Sequence, residues 1–186
     1  MVRSDMFETG PIIAAVRTLD DLSHAINSSV ETVFLLHADI FNLAHSVEKI
    51  HAASKKVFVH LDFLDGLGKD NMTIDFISRE IKPDGIISTR TNAVKYAKEK
   101  SIIAIQRFFM VDSLSYDTTI KAILQNLPDF AEIMPGILPN ILRKLSQRTR
   151  IPLIAGGLIQ QKNDIVLALN AGAVAVSTAR KDLWEV

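Results

Sequence analysis

A single barrel of alternating β-strands and α-helices, the (β/α)8 fold, is the architecture this sequence predicts, and three observations predict it. Short apolar runs recur eight times along 186 residues. Amphipathic segments lie between them. The ends of the last two runs carry the small and hydroxyl-bearing residues that barrels place against phosphate.

The runs are, in order, PIIAAV (11–16), TVFLLH (32–37), KVFVHL (56–61), DGIIST (84–89), IIAIQ (102–106), FAEIM (130–134), IPLIA (151–155) and AVAVS (173–177). All are apolar, many are β-branched, and none alternates strictly, as expected of parallel strands covered on both faces. Between the second and third lies NLAHSVEKIHAAS (42–54), with Leu43, Val47 and Ile50 on one helical face. Between the sixth and seventh lies ILPNILRKLSQRT (137–149), with Ile141, Leu142 and Leu145 on one face. The units follow one another at roughly 20–30 residues, which suits a barrel with tight loops. The last helix, after Arg180, has room only for a stub. A doubly wound open sheet is the competing architecture. No linker or shift of composition divides the chain, so residues 1–186 read as one domain.

Composition narrows the function. Lys+Arg and Asp+Glu both number 21, so the net charge is zero, which argues against broad polyanion binding but permits a local basic patch. The absence of cysteine excludes disulfides, thiolate catalysis and cysteine-ligated metal. The opening residues MVRSDMFETG lack the apolar run of a signal peptide, and no stretch approaches a membrane span, so the chain reads as cytoplasmic.

The strongest local signal pairs IAGGLI (154–159) with AGAVAVSTA (171–179). Gly156 and Gly157 follow the seventh strand, and lacking Cβ atoms they let a ligand approach the backbone. Ser177 and Thr178 end the eighth, and amides near Ser177, Thr178 and Ala179 are expected to open a short helix whose amino end favours an anion. Alone, either motif reads as an ordinary turn or cap. At successive strand ends they point to phosphate.

Polar residues recur at the same end of the other strands: Arg17 after the first, Asp62 after the third, Arg90 after the fourth, Arg107 after the fifth, and Glu132 on the sixth before Pro135–Gly136. They can line a ligand or serve structure, with Asp62 pairing to Arg90 or Arg107. His37, Asp39, His60 and Asp62 form two His-x-Asp pairs that could in principle converge on a divalent metal. Packed histidines and a loop Asp39 are the simpler account, and no metal is assigned. Asp62 and Glu132 could act as acid and base with Arg107 as a clamp, which keeps a sugar-phosphate isomerase or lyase as the alternative function. No lysine falls in the later half of a strand, which argues against a Schiff-base aldolase. On the sixth helix Arg143, Lys144, Gln147 and Arg148 share an outer face, extended by Arg150; Lys95 and Lys98 make a smaller patch on the fourth. Such stripes suit either solvent or a polyanion. No RNA-recognition signature with exposed stacking aromatics is read from the sequence.

KKVFVHLDFLDGLGKD (55–70), PDGIISTR (83–90), AIQRFFMVDS (104–113), EIMPGILP (132–139), IPLIAGGLI (151–159) and AGAVAVSTARKDLW (171–184) together resemble the bacterial glycerol uptake operon antiterminator regulatory proteins, over nearly the whole chain. The resemblance implies a non-catalytic barrel, without a cofactor, that responds to glycerol 3-phosphate and acts on the leader of glycerol-operon messenger RNA so that transcription passes a terminator. Carried over by position, Gly156, Gly157, Ser177 and Thr178 would hold the phosphate, and Asp62, Arg90, Arg107 and Glu132 would line the glycerol end. Arg143, Lys144, Arg148 and Arg150 are the candidate RNA contacts, and a homo-oligomer is compatible with the sequence. LLHADIF (35–41) departs from the small residues expected after the second strand.

Overall fold

The computed structural model describes residues 6–185; residues 1–5 of the opening segment MVRSDMFETG lie outside the described residues. Ten strands and seven α-helices alternate among them. The strands are β1 (Ile12–Val16), β2 (Thr32–Leu35), β3 (Ala38–Asp39), β4 (Lys56–His60), β5 (Leu64–Asp65), β6 (Gly85–Ser88), β7 (Ile103–Phe109), β8 (Phe130–Met134), β9 (Leu153–Gly156) and β10 (Ala173–Thr178). The helices are α1 (Leu19–Asn27), α2 (Leu43–Ala52), α3 (Asn71–Phe76), α4 (Thr91–Glu99), α5 (Ser113–Asn126), α6 (Pro139–Arg148) and α7 (Lys162–Asn170).

Eight strands close a parallel barrel in the order β1-β10-β9-β8-β7-β6-β4-β2. Closure pairs the first strand with the last, Ile13 against Ser177, so the two chain ends of the sheet meet beside Ser177–Thr178. The open-sheet alternative is thereby excluded. The remaining two strands, β3 and β5, pair only with each other and form a small lip over β2 and β4.

Local chemistry sets the helix starts. Thr18 and Asp21 form a reciprocal capping box at α1, Asp112 and Ser115 another at α5, and Gln161 and Asp164 a third at α7. Pro139 opens α6, where its missing N–H costs nothing. After β10 the described residues form a single 3-10 turn, Lys181–Leu183. Trp184 is buried beside it and donates its indole N–H to the Thr178 carbonyl at 2.9 Å.

Two hydrophobic cores result. One lies between strands and helices, and the other fills the barrel with Phe7, Ile13, Phe34, Phe58, Ile87, Ile105, Phe130, Ile154 and Ala175. Phe7 plugs the amino-terminal end, its ring edge-on to Phe130 at 5.1 Å. Inward positions recur every second residue of a strand. The next inward layer therefore holds Ala15, His60, Arg107, Glu132, Gly156 and Ser177, and here the interior turns polar. Two expectations are corrected at this level. β7 runs on to Phe109, so Arg107 is an inward strand residue rather than one that follows the strand. β10 continues through Thr178, and the helical turn begins only at Lys181, so Ser177–Ala179 do not open a helix.

Candidate functional site

A cavity of about 260 Å³ opens at the carboxyl-terminal end of the barrel, over the ends of β1, β7, β8, β9 and β10. Arg17, Arg107, Glu132, Gly157, Ser177, Thr178 and Arg180 are among the residues that line it. Its floor is a buried network. Arg107 donates through Nε to Oε2 of Glu132 at 2.6 Å, and Ser177 donates to Oε1 of the same carboxylate at 2.7 Å. Both members of the ion pair are nearly inaccessible, so each desolvated charge depends on the other for compensation, with Ser177 helping to satisfy the carboxylate.

Gly156 makes this network possible. A Cβ there would lie 2.4 Å from Glu132 Oε1 and 2.6 Å from Ser177 Oγ. Any side chain would displace the carboxylate or the hydroxyl.

Gly157 has a different role. Its φ of +75° and the following Leu158 at +59° turn the chain through two left-handed residues at the rim. Among the described residues, no backbone acceptor is paired with the N–H groups of Gly157, Leu158, Ile159 or Ala179. Unengaged amides gathered at one cavity favour an anion. The hydroxyls read from the sequence as phosphate ligands are engaged elsewhere: Ser177 on Glu132, and Thr178 on the Ile159 carbonyl at 3.0 Å, while Thr178 also accepts from the Arg180 N–H. Thr178 thus ties the β10 end to the β9 loop and holds the amides in place.

The cations divide into engaged and open. Arg180 makes two hydrogen bonds to Asp182, at 2.9 Å each. Arg17 is exposed at the cavity edge, and its guanidinium has no ion-pair or hydrogen-bond partner among the described residues. The sequence places Arg17 on this rim among the residues that can line a ligand, though not among those carried over from the family. It gives Arg180 no role at the site; that position follows from β10 reaching Thr178.

Asp62 and Arg90 sit elsewhere on the same end of the barrel. Asp62 lies in a 3-10 turn, Leu61–Phe63, beyond the end of β4. It accepts from Ser88 Oγ, Thr89 N–H, Thr89 Oγ1 and Arg90 Nε, all within 2.9 Å. Burial alone would raise its pKa, but these donors outweigh it and hold the carboxyl at about 2. The pair ties the β4 and β6 ends together. Arg90 borders a neighbouring hollow with Lys69, Asp70 and Thr91 rather than the cavity over Glu132. The structure therefore brings Arg107, Glu132, Gly157, Ser177 and Thr178 together, sets Gly156 beneath them, and leaves Asp62 and Arg90 to one side.

The two His-x-Asp pairs are separated by use. Asp39 accepts from the N–H groups of Phe41 and Asn42 and from the Asn42 amide, closing a turn. His37 faces Asp65 at 3.7 Å, whereas His60 is fully buried and its strand ends before Asp62. Arg143, Lys144 and Arg148 are exposed along α6 and Arg150 just past it, with no ion-pair partner among the described residues. None of the helices among the described residues is long and apolar enough to cross a membrane.

A family model described as Glycerol-3-phosphate responsive antiterminator matches residues 12–184. The crystal structure of a glycerol uptake operon antiterminator regulatory protein from Listeria monocytogenes str. 4b F2365 superposes with a TM-score of 0.92 at 39% identity, covering 96% of each chain. That of a glycerol uptake operon antiterminator-related protein from Thermotoga maritima MSB8 gives 0.82 at 32% identity, over 93% of this chain and 96% of the other. The Escherichia coli (strain K12) protein YgcP is 37% identical over 179 residues, 96% of this chain and 94% of its own length.

Proposed function

Because the chain belongs to the glycerol-3-phosphate responsive antiterminator family, we propose that it is a non-catalytic sensor of glycerol 3-phosphate that acts on the leader of a glycerol-operon messenger RNA. The observation that carries the ligand reading is the group of amides at Gly157, Leu158, Ile159 and Ala179, beside Arg17, all without a partner among the described residues. The phosphate sits against these amides, with Arg17 and Arg180 supplying charge. Gly156, Gly157, Ser177 and Thr178 build and hold that seat. The glycerol end reaches down to Arg107, Glu132 and Ser177, while Asp62 and Arg90 brace the wall on that side. Ligand contacts of this kind need backbone donors and fixed cations rather than an acid–base pair. Glu132 is already neutralised by Arg107 and Asp62 by Arg90, which favours binding over turnover.

RNA contact falls on the α6 stripe, Arg143, Lys144 and Arg148, with Arg150. Exposed cations without acidic partners can exchange condensed counterions for RNA phosphates. A titration of the glycerol-operon leader at several salt concentrations, with and without glycerol 3-phosphate, tests the reading. Ligand should tighten RNA binding, and RNA should tighten ligand binding by the same factor. Alanine at Arg143, Lys144 and Arg148 should reduce the slope of log affinity against log salt by about 0.7 for each phosphate of a single-stranded leader no longer neutralised. Undetectable binding at low salt with saturating ligand would reject direct RNA contact. Conversion of the ligand, followed by NMR, would reject the non-catalytic reading.

A further inference from the structure

His60 ends β4 with no exposed surface, in the same interior layer as Arg107, Glu132 and Ser177. Its Nδ1 accepts the Asp62 backbone N–H at 3.3 Å. A neutral imidazole that accepts at Nδ1 carries its proton on Nε2. That Nε2 is buried and has no hydrogen-bond partner among the described residues. Here is a fixed N–H donor without an acceptor, one layer below the rim.

Its cover is Phe63, whose ring centroid is 4.8 Å from the imidazole and tilted by 44°. Phe63 belongs to the one-turn segment Leu61–Phe63 and is 56% exposed, far more than a packed core ring. It also lines a chamber of about 330 Å³ with Arg17, Leu36, His37 and Arg107. Arg17, Leu36 and Arg107 line the phosphate cavity too, so the two spaces adjoin. The Arg107 guanidinium has one hydrogen bond among the described residues, through Nε. Its remaining N–H groups and the His60 N–H therefore make the inner end a set of donors.

We infer that His60 is a specificity-determining residue: with Phe63 moved aside, its Nε2–H donates to a hydroxyl or carbonyl oxygen on the end of the ligand remote from the phosphate. This rests on the reading of the cavity as a phosphate site. The ligand class is then a phosphomonoester with an oxygen on its distal carbons, and a simple alkyl phosphate lacks the acceptor. Burial, with the Arg107 charge nearby, holds the His60 pKa down at about 4, so the donor form persists at neutral pH.

The test compares glycerol 3-phosphate with propyl phosphate, which keeps the phosphate and loses both hydroxyls. Calorimetry on the intact protein should show the wild type preferring glycerol 3-phosphate by about tenfold or more, and His60→Leu losing about that factor while binding propyl phosphate as before. His60→Gln, which retains a donor, should keep part of the preference. In wild type with ¹⁵N-labelled histidine, glycerol 3-phosphate should shift the Nε2–H resonance and propyl phosphate should not. An unchanged preference in His60→Leu, or an Nε2–H resonance indifferent to glycerol 3-phosphate at saturation, overturns the assignment. Failure of the wild type to bind either phosphate overturns instead the reading on which it rests.

Discussion

The Nε of Arg107 lies 2.6 Å from Oε2 of Glu132, and the two residues are register partners on β7 and β8. Because the second carboxylate oxygen accepts from Ser177 on β10, one side chain links three strands under the cavity. Breaking a buried pair leaves an uncompensated charge, which typically costs about 3–5 kcal/mol. Glu132→Ala should lower the unfolding free energy by about that much in urea, and Glu132→Gln by less, since the amide still accepts from Arg107. A loss below about 1 kcal/mol for Glu132→Ala would show that the floor tolerates a lone guanidinium.

The buried His60 predicts a pH dependence of stability. Its pKa is about 4 in the fold, against 6.5 ordinarily. Between those values the unfolded chain binds the proton and the folded chain does not, so stability falls as pH drops from about 6.5 toward about 4. At roughly 1.4 kcal/mol per pKa unit the loss approaches about 3 kcal/mol. Denaturation at pH 7, 5.5 and 4.5 should show the gap between wild type and His60→Leu narrowing, or changing sign, toward acid. A gap constant across that range would contradict a neutral buried imidazole.

Arg17 separates binding from folding. Its guanidinium is exposed and has no partner among the described residues, so Arg17→Ala should change stability by less than about 0.5 kcal/mol. Losing a charge-assisted hydrogen bond should weaken glycerol 3-phosphate binding by about tenfold. Gly157→Asp is a poorer probe. A Cβ there meets Met134 Cε at 2.6 Å and φ is +75°, so the loop is strained whatever charge is introduced. Calorimetry paired with thermal melts distinguishes the cases: equal losses of affinity and stability for Arg17→Ala would make it a structural residue.

The barrel was legible because strands covered on both faces read as unbroken apolar runs, and all eight appear where the runs do. The misplaced end of β7 shows the limit of that signal. A charge usually marks a strand end, yet Arg107 continues the strand inward because Glu132 opposes it, and that partner lies 25 residues away in sequence. Strands β3 and β5, two residues each, are too short for any periodicity to show. The cavity was legible as a place, from Gly156–Gly157 and Ser177–Thr178, but its open amides were not. Which hydroxyls are engaged and which amides are open depends on the turn at Gly157–Leu158 and on the long-range bond from Ser177 to Glu132.

The central claim is that the cavity over β9 and β10 binds the phosphate of glycerol 3-phosphate. Calorimetric titration of the intact protein with glycerol 3-phosphate and with glycerol tests it most directly. Amide donors and Arg17 act only on the phosphate, so the phosphorylated compound should bind at least about a hundredfold more tightly. Equal affinity for the two compounds, or no heat with either, would contradict the account.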